Sequence, residues 1–229
     1  MALNIVGAID DRVPVKTVLA SVSDKAGLEL LVMGLLSANP SLVILSTGGT
    51  HAALAAILGP KASRVLRQVS ECTGQPEMQG GLVKTLDFRI YLGLLSETHN
   101  AAHQEDLARA GATTIDMVVV NFYPFRETDA RGDGGPEAAR GNIDIGGPCM
   151  VRAAAKNFHR VAALTDPADY AGIVRELSDH GGCITLATRW RLAQKAFRLT
   201  AAYDAAIAAH LGGLSFETVR AAYDVRVGV

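Results

Sequence analysis

Short β-branched apolar runs alternate along the chain with longer stretches whose leucines or alanines recur at helical spacing. Val15 to Val22 (VKTVLASV) is the first such run; SDKAG interrupts it, and GLELLVMGLLSAN then places its leucines on one helical face. The order repeats in LVILS, TGGT and the alanine-rich HAALAAILG, and RVLRQVS leads into a glycine-rich stretch. IDMVVVNFY is nearly continuous in apolar residues, as a strand covered on both faces requires, and RVAALT precedes the helix start DPADY. Strands that alternate with helices pair in parallel, because each crossover returns the chain to the same edge. The pattern predicts an α/β fold with a mainly parallel five-stranded sheet.

No Gly or Pro interrupts Thr185 to Leu211, which predicts one or two long helices at the end of the domain, with Trp190 and the aromatics of KAF and AAYD packing them. ETDARGDGGPEAARG, rich in Gly, Asp and Arg, reads as an exposed, mobile loop, and its RGD triplet as chance. One domain over residues 15–212 is expected, with an N-terminal extension, 1–14, and a C-terminal tail, 213–229.

Composition narrows the function. At 229 residues, 49% hydrophobic and 20% charged, the chain can bury a sizeable core. A formal net charge of -1 offers no field for nucleic acid or an anionic membrane, so neither is expected as a partner and any anion must be held locally. Cys72, Cys149 and Cys183 lack metal-like spacing and fit reduced thiols. The N-terminus has no basic leader and no segment reaches a membrane span, so a cytoplasmic location is expected.

Candidate chemistry sits where strands end and helices begin. SVSDKAG, with Ser21, Ser23 and Lys25, and STGGT, with Ser46, Gly48, Gly49 and Thr50, occupy the edge where free N–H groups and glycines accept an anion. The same residue types also make ordinary turns and caps. Lys84 and Thr85 follow a glycine pair in PEMQGGLVKTL, and Asn121 and Tyr123 close a strand in NFYPF. NIDIGGPCMVRAAAKN sets Asp144, Ile145, Gly146, Gly147 and Lys156 within one span, where a buried acid or lysine would need partners. Parallel strand ends converge on one crevice, which would gather these groups.

These blocks, in this order, resemble the IMP cyclohydrolase domain of the bifunctional AICAR transformylase/IMP cyclohydrolase family, over most of residues 19 to 207. The resemblance implies a three-layer α/β/α fold like that of methylglyoxal synthase, a homodimer, and closure of formyl-AICAR, a ribonucleotide, to IMP with loss of water. It implies that Asp144 engages the carboxamide, that Lys84, Tyr123 and Lys156 surround the formyl oxygen and the leaving water, and that Gly146 and Gly147 keep the backbone close to the base. No metal or organic cofactor is implied. The chain ends near Val229, so the transformylase domain is expected to be absent and a separate formyltransferase to supply the substrate.

The family usually reads GRVKTLHP followed by a further histidine; here Leu82, Asp87, Phe88 and Tyr91 stand in those places, and Leu199 replaces a later histidine. Losing the arginine removes charge-assisted bonds to a phosphate. Two alternatives follow: a relative closing the ring of a purine-like analogue in nucleoside natural-product synthesis, or a non-catalytic nucleotide- or phosphate-sensing module on the same fold. His99 and His103, four apart on an expected helix, lack a third zinc ligand and read as a solvated face; Cys149 reads as a small core residue.

Overall fold

The computed structural model describes residues 5–75, 85–122, 125 and 135–226. Strand β1 (Arg12–Pro14) precedes β2 (Thr17–Val22), α1 (Leu28–Ala38), β3 (Val43–Ser46), α2 (Gly48–Leu58) and β4 (Leu66–Gln68). The chain continues through α3 (Phe88–Leu95), α4 (Ala101–Ala110), β5 (Met117–Asn121), α5 (Gly146–Lys156) and β6 (Ala162–Leu164). It closes with α6 (Tyr170–Asp179), β7 (Cys183–Thr185) and α7 (Leu186–Gly213), followed by a short helix, Phe216–Ala221. Five strands form one parallel sheet in the order β4-β3-β2-β5-β6, as the alternating pattern predicts.

Period-two alternation divides the sheet's side chains between two cores. Val18, Ala20 and Val22 of β2, with Met117 and Val119 of β5, pack beneath α1, α2 and α6. Leu19, Val118 and Val120 point the other way, against α3, α5 and α7. Helices thus cover both faces, giving the three-layer α/β/α architecture. Along α7, Ala193, Ala196, Tyr203 and Ala206 face the sheet. Trp190 and Phe197 lie on its other side, 50% and 41% exposed, with Trp190 against Phe158 and Phe197 beneath Arg152. Of the aromatics expected to pack the terminal helix, Tyr203 is buried against the sheet, whereas Trp190 and Phe197 are half-exposed and pack on one side only.

Sequence pattern misses two elements and misreads a third. β1 and β7 pair antiparallel, Arg12 opposite Thr185, and at three residues each they are too short to show alternation. β1 falls within the segment read as an extension. The last part of the expected 127–141 loop, Gly135–Gly141, is helical and carries an exposed Glu137–Arg140 ion pair. The RGD triplet lies outside the described residues. No described helix is long and apolar enough to cross a membrane.

Two buried arginines organise the end of the molecule where the strands begin. Asp116, just before β5, accepts from the N–H groups of Lys16 and Thr17 at 2.9 Å each and from Arg160 Nη1 at 2.9 Å. Arg160 also donates to the carbonyls of Ser96 and Gly93, while Asn157 donates to those of Leu94 and Ser96, so side chains satisfy the open carbonyls at the end of α3. Arg189, in the first turns of α7, is 0% exposed and donates to the carbonyls of Phe158, Asp11, Ile184, Asp10 and His159. Burial pulls its pKa down, and Asp11, Asp10 and Glu176 act against that pull.

Replacing a guanidinium that serves so many carbonyls leaves buried acceptors unpaired. Arg189→Met, which keeps the apolar stem, is expected to lower unfolding stability by about 3 to 5 kcal/mol, the range for breaking a buried charged network. Urea unfolding should show a lower midpoint at unchanged slope.

Candidate functional site

The strand ends opposite the buried arginines carry the candidate site. Asn121 closes β5 in register with Val22. Its Oδ1 accepts from Ser23 N at 2.7 Å, Ser23 Oγ at 2.9 Å and Asp24 N at 2.9 Å, and its Nδ2 donates to Asp24 O at 3.0 Å. The amide therefore shapes the loop after β2, leaving Lys25 exposed and Ser21 half-buried. Thr50 Oγ1 accepts from Val22 N at 3.0 Å and donates to Val22 O at 3.1 Å, and buried Ser46 donates to Ala20 O at 2.8 Å. Ser46 and Thr50 act as struts beneath the two loops.

Above those struts the start of α2 is open. Thr47, at its N-cap, makes no side-chain cap. Gly48 has φ +50, a left-handed backbone that favours glycine, and a Cβ on Gly49 would meet nothing within 4 Å. First-turn N–H groups of a helix have no intrahelical acceptor and carry the positive end of its dipole. Exposed Gly48 and Gly49 thus form a cradle fit for a phosphate, with Lys25 on the neighbouring loop.

Asp144 occupies the adjoining corner. Its Oδ1 accepts from Gly147 N at 2.9 Å, capping α5, and its own N–H donates to the Tyr203 hydroxyl oxygen at 2.8 Å. A Cβ on Gly147 would collide with Asp144 Oδ2 and approach the Phe122 ring to 2.9 Å, so only glycine lets strand end and carboxylate close together. Thr85 Oγ1 lies 2.9 Å from the corresponding point on Gly146. Thr85, Asp144, Gly146 and Gly147 thereby meet beside Phe122, the residue after Asn121, with Ile145 exposed.

Lys156 is not brought there. It is exposed at the last position of α5, and at about 1.5 Å per residue its Cα stands roughly 15 Å along the axis from Gly146. Lys84 and Tyr123, with Leu82, lie outside the described residues.

The departing positions have local roles. Asp87 caps α3 by accepting from Arg89 N at 2.8 Å, Phe88 is 71% exposed, and Leu199 packs at the edge of the α5–α7 core. The Tyr91 hydroxyl is buried with no hydrogen-bond partner among the described residues. His99 precedes α4 and contacts Asp10, whereas His103 lies within it and accepts from Glu97 N, so the expected shared helical face does not form. Half-buried Cys149 lies beside Tyr91. Tyr203 escapes sequence reasoning because Ala196, Thr200, Tyr203 and Ala206 form an ordinary core stripe that conceals its hydroxyl.

Asn121→Leu is expected to release the loop after β2, which faster hydrogen–deuterium exchange in residues 22–27 would show. Tyr91→Phe removes a buried hydroxyl whose neighbour is the weakly hydrogen-bonding thiol of Cys149, so thermal unfolding is expected to show little loss, or a gain of up to about 1 kcal/mol.

Residues 31–149 match the family model of the MGS-like domain, and residues 154–227 match that of the AICARFT/IMPCHase bienzyme. The bifunctional purine biosynthesis protein PurH of Ruminiclostridium cellulolyticum is 41% identical over 215 residues, covering 92% of this chain and 40% of that protein. PurH of Sinorhizobium fredii is 47% identical over 197 residues, 86% of this chain and 35% of that protein. The crystal structure of ForH superposes with a TM-score of 0.70 at 34% identity, covering 84% of this chain and 97% of that one. The chain spans less than half the length of these curated relatives. Matched over residues 31–149, it belongs to the MGS-like domain family, and its residues 154–227 are similar to the AICARFT/IMPCHase bienzyme.

Proposed function

We propose that this chain closes the ring of formyl-AICAR to give IMP and water. The observation that carries the reading is Asp144: one carboxylate oxygen is fixed by Gly147 N, the other has no partner among the described residues, and an open glycine cradle lies on the same sheet edge. In the reaction the carboxamide nitrogen attacks the formyl carbon. A carbon–nitrogen bond forms, the amide proton passes to a base, and the former formyl oxygen leaves as water. Asp144 is the base, and holding both reacting groups of one molecule together supplies much of the rate. The ribose phosphate sits on the cradle near Lys25. Lys84 and Tyr123 take the oxyanion side by resemblance.

Within one chain Lys156 stands a helix length from Asp144, so a role for it requires the second copy of a homodimer. The homodimer itself rests on the family resemblance and on the small, alanine-rich outer faces of α2 and α7. The soluble, cytoplasmic setting and a separate formyltransferase as supplier are part of the same proposal. Ring closure on a purine-like analogue is the second reading, favoured by Asp87, Phe88, Tyr91 and Leu199, where the family pattern is broken.

Purified protein given formyl-AICAR is expected to produce IMP; no product would refute the first reading. Asp144→Asn keeps the Oδ1 cap, so it is expected to lower turnover on the order of a hundredfold or more without a change in melting temperature. Sedimentation is expected to show a dimer. Mixing Asp144→Asn with Lys156→Ala chains is expected to restore activity, because one of the two sites in a mixed dimer then has both groups intact.

A further inference from the structure

Asp144 is anchored by two kinds of bond that differ in reach. The N–H groups of Asn142 and Ile143 donate to Ala138, Ala139 and Arg140, all within the preceding short helix. Asp144 Oδ1 serves Gly147 three residues on. The bond from Asp144 N to the Tyr203 hydroxyl is the one described for residues 142–145 that reaches a sequence-distant element, 59 positions away.

Tyr203 also touches the other half of the site. Its ring centroid lies 5.1 Å from that of Phe122 and 6.4 Å from that of Phe125, both from the segment that begins at Asn121. Asn121 in turn holds the loop after β2. One phenol on α7 therefore bears on the strand end that shapes the anion loop and on the backbone of the carboxylate.

We infer that Tyr203 is a positioning residue that sets the spacing between the anion-loop edge and the Asp144 carboxylate. The inference rests on the reading of Asp144 as the reacting base. With Asp144 N held by Tyr203 and Oδ1 held by Gly147 N, the backbone and the side chain of the aspartate are both fixed, and Oδ2 is the oxygen without a partner among the described residues. Burial raises the pKa of the phenol, so it is the neutral hydroxyl that holds this place at neutral pH. Its aromatic contacts explain why a tyrosine, rather than a smaller hydroxyl residue, occupies the position. The arrangement supports a reacting group through a rigid element that does not itself meet the substrate.

The discriminating variant is Tyr203→Phe, which keeps the ring contacts and removes only the oxygen. Its kcat for ring closure is expected to fall roughly tenfold while KM stays within about twofold, the pattern of an interaction realised in the transition state. Melting temperature should stay near that of the wild type. Hydrogen–deuterium exchange in residues 142–150 should accelerate, with residues 17–25 unchanged. An unchanged kcat, or a loss of activity that follows a loss of melting temperature, would overturn the assignment. If the wild-type protein does not close formyl-AICAR, the functional reading fails separately, and the spacing role is then judged on exchange alone. Faster exchange confined to residues 142–150 supports it, and unaltered protection there overturns it.

Discussion

The buried contact between Asp116 and Arg160 is the constraint on which the central sheet depends. Asp116 receives the N–H groups of the two residues at the start of β2, gives its own N–H to Thr17 and its carbonyl to Ala162 N, and pairs with Arg160. A single side chain and its peptide thus fix where β2, β5 and β6 begin relative to one another. In a parallel sheet a slip of one residue would exchange the two cores. Burial pushes the Asp116 carboxyl up, against the pull of the Lys16 and Thr17 N–H groups and of Arg160. Such a pair confers little net stability, but removing one partner strands the other. Its value here lies in register.

Because register is fixed where the strands begin, their far ends can be given over to loops. There the polar side chains divide into those that shape backbone and those that face outward. Asn121, Thr50 and Ser46 spend their hydrogen bonds within the protein, while Gly48 and Gly49 are exposed and Asp144 Oδ2 has no partner among the described residues. This division explains how loops of small residues hold a defined shape over a sheet without being packed into it.

The layered fold is legible in the sequence because β2, β5 and β6 are buried on both faces and read as continuous apolar runs. The uninterrupted stretch after Thr185 likewise reads as a helix, and it forms a single one. The glycine-rich edge after β3 is legible as a turn because a strand that runs straight into a helix needs small residues there. Roles that depend on partners far away in sequence are not. Arg189 sits in TLATRWRLAQ, where a basic residue on a helix ordinarily meets water, and nothing local reveals the distant carbonyls that surround it. Asn121 looks like a ligand contact and is found organising a loop. The separation of Lys156 from Asp144 is implicit in the helix joining them, yet motif reading treats the span as one cluster.

The reach of Arg189 bears on how the chain folds. It binds carbonyls at Asp11 and Asp10, 178 and 179 positions away, and so joins nearly the whole length of the chain into one loop. Closing a loop of that length carries a large entropic penalty and is unfavourable before the intervening sheet has assembled. The contact is therefore expected to form late, after the sheet between its partners has assembled. Contacts formed after the barrier leave the folding rate almost untouched and act on the rate of escape from the native state. In that case Arg189 acts as a latch, bearing on how long the assembled fold persists more than on how quickly it is reached.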